Sequence, residues 1–126
     1  MVGSVLIVDD NEFMRSSLRR LFTSQPDFKV CGEAEDGRQA IDKATELYPD
    51  LIVMDLSMPQ MTGIEAAHIL SRLMPAVPII IFSDYGKVLS GQEASFRGIS
   101  AVVSKSDEIS LLLGEARTLL CHRSAA

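Results

Sequence analysis

A chain of 126 residues has room for one ordinary domain and not for two. With 47% hydrophobic and 23% charged residues it has the makings of a packed core rather than of a disordered segment. A net charge of -5 argues against a sequence-independent grip on nucleic acid, which needs a basic stripe to displace phosphate counterions.

Cys31 and Cys121 stand far apart, outside any CxxC or Cys/His array, and read as free thiols. No basic stretch followed by an apolar core opens the chain. The longest apolar run, Ala76 to Phe82, contains Pro78 and is too short for a bilayer. The expectation is a soluble, cytoplasmic protein with no membrane contact.

The first apolar run, Val5 to Val8, predicts a strand that ends at Asp9-Asp10. Asn11 then caps a helix whose apolar face is Met14, Leu18, Leu21 and Phe22. Arg15, Arg19 and Arg20 make a basic patch on this helix, read as a solvated face or a contact for a partner. A weaker strand, Phe28 to Cys31, precedes Gly32. The second helix carries Ala40, Ile41, Ala44, Leu47 and Tyr48 and is closed by Pro49. The third strand, Leu51 to Met54, runs into Asp55. The third helix begins only near Thr62 or Gly63, carries Ala67, Leu70 and Met74, and is closed by Pro75.

The fourth strand, Ile79 to Phe82, ends at Ser83-Asp84. Val88 to Phe96 predicts a short, poorly patterned fourth helix that ends near Gly98. A fifth strand, Ile99 to Val103, leads into Ser104-Lys105. Ile109, Leu112, Leu113, Ala116, Leu119 and Leu120 define a fifth helix, with Ser106 or Asp107 as its cap. The domain is placed at 1-121, with 122-126 as a C-terminal tail. His68 and His122 have no Ser or Cys partner at a recognisable spacing and read as non-catalytic. The methionines fit core and loop packing.

Strand and helix thus alternate five times. Unbroken apolar strands need cover on both faces, which right-handed crossovers provide in an α/β fold with a parallel sheet. All strand ends then open on one edge, where ligands of doubly wound sheets bind. Asp9, Asp10, Asp55, Ser83 and Lys105 converge there. Helix caps account for Asp55 poorly, because its helix starts several residues later. Acids so crowded raise one another's pKa unless a cation intervenes. A hard ion with oxygen ligands and retained waters, Mg²⁺, suits so few carboxylates. A carboxylate nucleophile, Mg²⁺, an ammonium and a hydroxyl are the parts that stabilise a transferring phosphoryl group.

Val5 to Asp10, Asp55-Leu-Ser-Met-Pro59 with Gly63, Pro78 to Ser83, and Lys105 together resemble the response-regulator receiver family of two-component signalling, the CheY-like superfamily. The resemblance covers essentially the whole chain. It implies a flavodoxin-like doubly wound (βα)5 three-layer sandwich with a five-stranded parallel sheet in the order 2-1-3-4-5. It makes Asp55 the phosphoacceptor, taking its phosphoryl group from a sensor histidine kinase or phosphotransfer protein. By the same resemblance Asp10 binds Mg²⁺ directly, with Asp55 and the backbone carbonyl of Ser57, and Asp9 binds it through water. Ser83 hydrogen-bonds the acyl phosphate and Lys105 pairs with its oxygens. Pro59 and Gly63 shape the loop after the acceptor.

Such a domain is not an enzyme in its own right, although it hydrolyses its own acyl phosphate. It switches the surface made by the fourth helix, fifth strand and fifth helix, and acts through an output domain or effector protein absent from this chain. A monomer or weak dimer is implied, with no direct nucleic-acid binding, and the subtype looks most like receivers that precede helix-turn-helix domains. Three positions depart from the family pattern. Val102 replaces a common aromatic three residues before the lysine, with Tyr85 as a possible substitute. Asp84 replaces a small residue, and Ser106 stands where many members have proline. Two other readings remain: a degenerate receiver that binds partners without phosphorylation, and a Mg²⁺-dependent aspartyl-phosphate phosphohydrolase. Ser57, where such hydrolases carry a second acid, argues against the latter.

Overall fold

Three of the five strands are runs of buried side chains, so each must be covered on both faces, and the fold follows from that demand. The structure, a computed structural model, describes residues 2–56, 58, 61–84 and 98–125. The strands are β1 (Gly3–Val8), β2 (Phe28–Ala34), β3 (Leu51–Met54), β4 (Ile79–Phe82) and β5 (Ala101–Val103). They form one parallel sheet in the order β2-β1-β3-β4-β5, as the resemblance implies. The helices are α1 (Glu12–Thr23), α2 (Gly37–Leu47), α3 (Gly63–Leu73) and, last, α4 (Ile109–Ala125). The fourth helix expected from sequence, at 88–96, lies outside the described residues, as do Ser57, Pro59 and Tyr85.

The sheet separates two cores. On one face Ala40 and Ala44 of α2 and Ala66, Ala67 and Leu70 of α3 pack on Leu6, Val8, Ile52, Met54, Ile79 and Ile81. On the other, Leu18 and Phe22 of α1 and Leu112, Leu113 and Ala116 of α4 pack on Val5, Ile7, Val53, Ile80 and Phe82. Alternate residues of one strand thus serve opposite cores, as the pleat requires. Asn11 caps α1 through its side chain, which accepts from the Met14 N–H at 3.1 Å.

Four expectations are corrected. Strand β2 runs on to Ala34, because Val30 pairs with Val5 and Gly32 with Leu6, which leaves Cys31 as a bulge. Tyr48 does not join the α2 stripe: it ends the helix in the left-handed region, φ 49°, and is exposed. The Asp107 carboxylate accepts from Ser104 N–H at 3.0 Å and closes the turn before α4 rather than capping that helix. Helix α4 itself continues to Ala125, through residues that the sequence assigns to a tail.

Candidate functional site

The acids sit where the ladders of β1 and β3 run out. Asp9 donates its backbone N–H to the Ala34 carbonyl at 3.0 Å, and Asp55 donates to Val8 at 2.9 Å. Both are buried, while Asp10, one residue further into the turn, is exposed. Each of the three offers an oxygen within 4.8 Å of the others. Ser83, buried at the end of β4, is tied to β5 by its N–H to the Val103 carbonyl at 3.1 Å. Lys105 arrives from the turn after β5 and places its Nζ 2.9 Å from Asp9 Oδ2 and 3.6 Å from Asp55 Oδ1. Five of the residues picked out by sequence are therefore gathered on one sheet edge.

The local backbone explains their aim. The Asp9 carboxylate accepts the Asn11 N–H at 2.9 Å, and Asp55 Oδ1 accepts the Leu56 N–H at 2.9 Å. The Lys105 turn is closed without proline: the hydroxyls of Ser104 and Ser106 lie 2.8 Å apart, and Asp107 N–H donates back to the Ser104 carbonyl at 3.0 Å. Gly63 brings the start of α3 against the backbone that carries Asp55. Its N–H donates to the Leu56 carbonyl at 2.8 Å, and a Cβ there would collide with the Asp55 carbonyl oxygen. No side chain larger than hydrogen fits.

Charge in the site is unbalanced. Burial pushes the Asp55 carboxyl above its ordinary range and the charge on Asp9 adds to this, while Lys105 and a hydrogen bond from Ser83 pull it back. Burial alone would lower the Lys105 ammonium, but its hydrogen bond to Asp9 and the charges of Asp9, Asp55 and Asp84 outweigh it and the net shift is upward. One ammonium thus faces three carboxylates, an arrangement that a hard cation would relieve.

Two residues of the site were misread or missed. Arg15, expected in a solvated basic patch, turns inward and donates from Nη1 to the Asp9 carbonyl at 2.7 Å. Glu33 anchors it, with Arg15 Nε at 3.3 Å and Arg19 Nε at 2.6 Å. Spacing puts Arg15 and Arg19 one helical turn apart on one face, but it does not show that Glu33, on another element, lies opposite them.

Residues 5–117 match the family model of the response regulator receiver domain. The chain belongs to the response regulator receiver family, the CheY-like components of two-component systems. Chemotaxis protein CheY of Thermotoga maritima is 40% identical over 101 residues, which is 80% of this chain and 83% of that protein. A protein-glutamate methylesterase/protein-glutamine glutaminase of the same organism is 48% identical over 79 residues, 63% of this chain but only 23% of that enzyme's length. The crystal structure of a LuxR-family two-component response regulator from Aurantimonas sp. matches with a TM-score of 0.90 at 31% identity, over 98% of this chain and 88% of the other. Among the described residues, no helix is long and apolar enough to cross a membrane.

Proposed function

We propose that this chain is the phosphoacceptor of a cytoplasmic two-component phosphorelay, taking a phosphoryl group on Asp55 from a phosphohistidine of a sensor histidine kinase or phosphotransfer protein. The observation that carries the reading is the meeting of Asp9, Asp10 and Asp55 within 4.8 Å, with the Lys105 ammonium against two of them.

The donor set fits Mg²⁺: it offers only oxygen, from two adjacent strand ends, and too few carboxylates for a closed cage. Asp10 and Asp55 would hold the ion directly and Asp9 through water, and the resemblance adds the backbone carbonyl of Ser57. Bound there, the ion supplies positive charge against the phosphoryl oxygens. The chain's own residues do the rest. An Asp55 carboxylate oxygen attacks phosphorus in line, the P–N bond breaks, and its electron pair leaves with the imidazole. Lys105 and the Ser83 hydroxyl then face the new phosphoryl oxygens. Water attacking the acyl phosphate returns Asp55 to its resting form.

Because Ser83 is hydrogen-bonded to β5 and Lys105 follows that strand, drawing both toward a phosphoryl group moves β5 and its neighbours. Val102, stiff and partly buried against the α2–α3 core, has no ring to rotate, so the shift passes through backbone and packing. This chain is similar to CheY, to part of a methylesterase and to a LuxR-family response regulator, and on this reading its output goes to a partner that meets β5 and α4.

The test is acetyl phosphate with Mg²⁺, read by intact mass. Wild type should gain one phosphoryl group and Asp55→Asn none. Undiminished labelling of Asp55→Asn removes the proposal.

A further inference from the structure

Every polar group of Asp9 is held. Its N–H goes to Ala34, one carboxylate oxygen to the Asn11 N–H, the other to Lys105, and its carbonyl to Arg15. The last bond matters most for its neighbour. A peptide group is planar, so fixing the Asp9 carbonyl fixes the N–H of Asp10 and the direction in which the chain leaves it. Asp10 is exposed and lies in a turn, where nothing of the core sets its direction.

Arg15 is itself anchored. Only 15% of its side chain is exposed, and its Nε lies 3.3 Å from Glu33, which is also held by Arg19 at 2.6 Å. Glu33 precedes Ala34, the residue that receives the Asp9 N–H, so one short piece of β2 braces both ends of Asp9. A planar guanidinium can serve a carboxylate and a carbonyl together, whereas an ammonium is a point charge on a flexible stem.

We infer that Arg15 is a positioning residue for the Asp9–Asp10 pair: by fixing the peptide between them it points both carboxylates toward Asp55, and so sets the affinity of the site for a divalent cation. This rests on the metal-binding reading above. It makes a prediction opposite in sign to simple electrostatics. Removing a cation beside three carboxylates should, by charge alone, let Mg²⁺ bind more tightly. Removing a positioning contact behind metal ligands weakens binding, by roughly tenfold or more.

The experiment is calorimetric titration of the whole chain with MgCl₂, beside thermal midpoints measured without metal. Arg15→Met should bind roughly tenfold more weakly than wild type, and Arg15→Lys, which keeps the charge but not the fork, should fall between them. Arg117→Met cuts the ion pair to Asp27 at 2.8 Å, before β2 and so at the opposite end of the sheet. It should lower the midpoint slightly and leave Mg²⁺ affinity alone, the pattern expected of a merely structural arginine. Arg15→Met binding as tightly as wild type, or more tightly, overturns the inference. Should that variant not fold, Arg15→Lys decides on the same criterion. A wild-type chain that does not bind Mg²⁺ removes the metal-binding reading and this inference with it.

Discussion

Lys105 makes its shorter ion pair with Asp9, at 2.9 Å, and lies farther from Asp55, at 3.6 Å. The ammonium is thus docked on the more buried acid and leaves the Asp55 carboxylate less tightly paired. Its upward pKa shift means that the stabilising charge is fully present below the ordinary lysine value of 10.5 and is lost only as pH rises through the higher folded value. At neutral pH the pair is intact.

Lys105→Met should therefore destabilise the metal-free fold by about 3 kcal/mol, the usual cost of stranding a buried charge. Saturating Mg²⁺ should recover part of that loss, because a divalent ion can replace the missing ammonium. Urea unfolding with EDTA and with Mg²⁺ measures both. A loss that is small and indifferent to metal would show that Asp9 does not depend on this partner.

Asp55→Asn should do the reverse. Burial, then Asp9, raises the folded pKa of Asp55 above the unfolded 3.8, so the folded state holds the proton more tightly. Stability from this group falls as pH rises through 3.8 toward the folded value, and at pH 7 the ionised acid is a net cost. Without metal the variant should melt a few °C above wild type at pH 7, roughly what 1 kcal/mol does in a domain of this size. The gap should close in acid below the unfolded value. Thermal scans across pH with EDTA would detect it, and a variant less stable at pH 7 contradicts the argument.

Gly63→Ala should cost about 2 kcal/mol, in the range of overpacked sites. The added methyl meets backbone at Asp55 and Leu56, which cannot rotate away as a side chain could. The displacement falls on the Asp55 backbone, so, if Asp55 takes the phosphoryl group as proposed, acetyl phosphate labelling should slow together with the loss of stability. Wild-type labelling in a destabilised variant would mean that α3 yields rather than the Asp55 backbone.

What the sequence reveals here divides along physical lines. Strands β1, β3 and β4 are legible because burial on both faces demands unbroken apolar runs, and their polar ends then mark the site. Strand β2 is harder to read: it is an edge strand that tolerates Lys29 and Glu33, and the bulge at Cys31 shifts its alternation midway. Tyr48 follows the helical period of α2 yet faces solvent, because the period says nothing about where the chain turns left-handed. Arg15 was hidden for another reason. An arginine next to a solvated face carries no mark of the carbonyl and carboxylate that will meet it, since Glu33 lies on a different element. Asp107 has the composition of a helix cap, and only the backbone geometry shows it closing the turn that presents Lys105.

Asp84 supplies the last prediction. It directly follows Ser83, is exposed, and its charge is felt by Lys105. An anionic phosphodonor approaching the Lys105 ammonium meets this carboxylate at the rim of the site. Rim charges act chiefly on association rate and are screened by salt. Asp84→Ala should accelerate labelling by acetyl phosphate about two- to threefold at low ionic strength, by the scale of a weak exposed charge interaction. The advantage should fade near 0.5 M salt, where the Debye length is roughly 4 Å. Equal rates for the two proteins at low salt would mean that Asp84 is an ordinary solvated loop acid, and a faster wild type would mean that the acid assists the reaction rather than guarding its entrance.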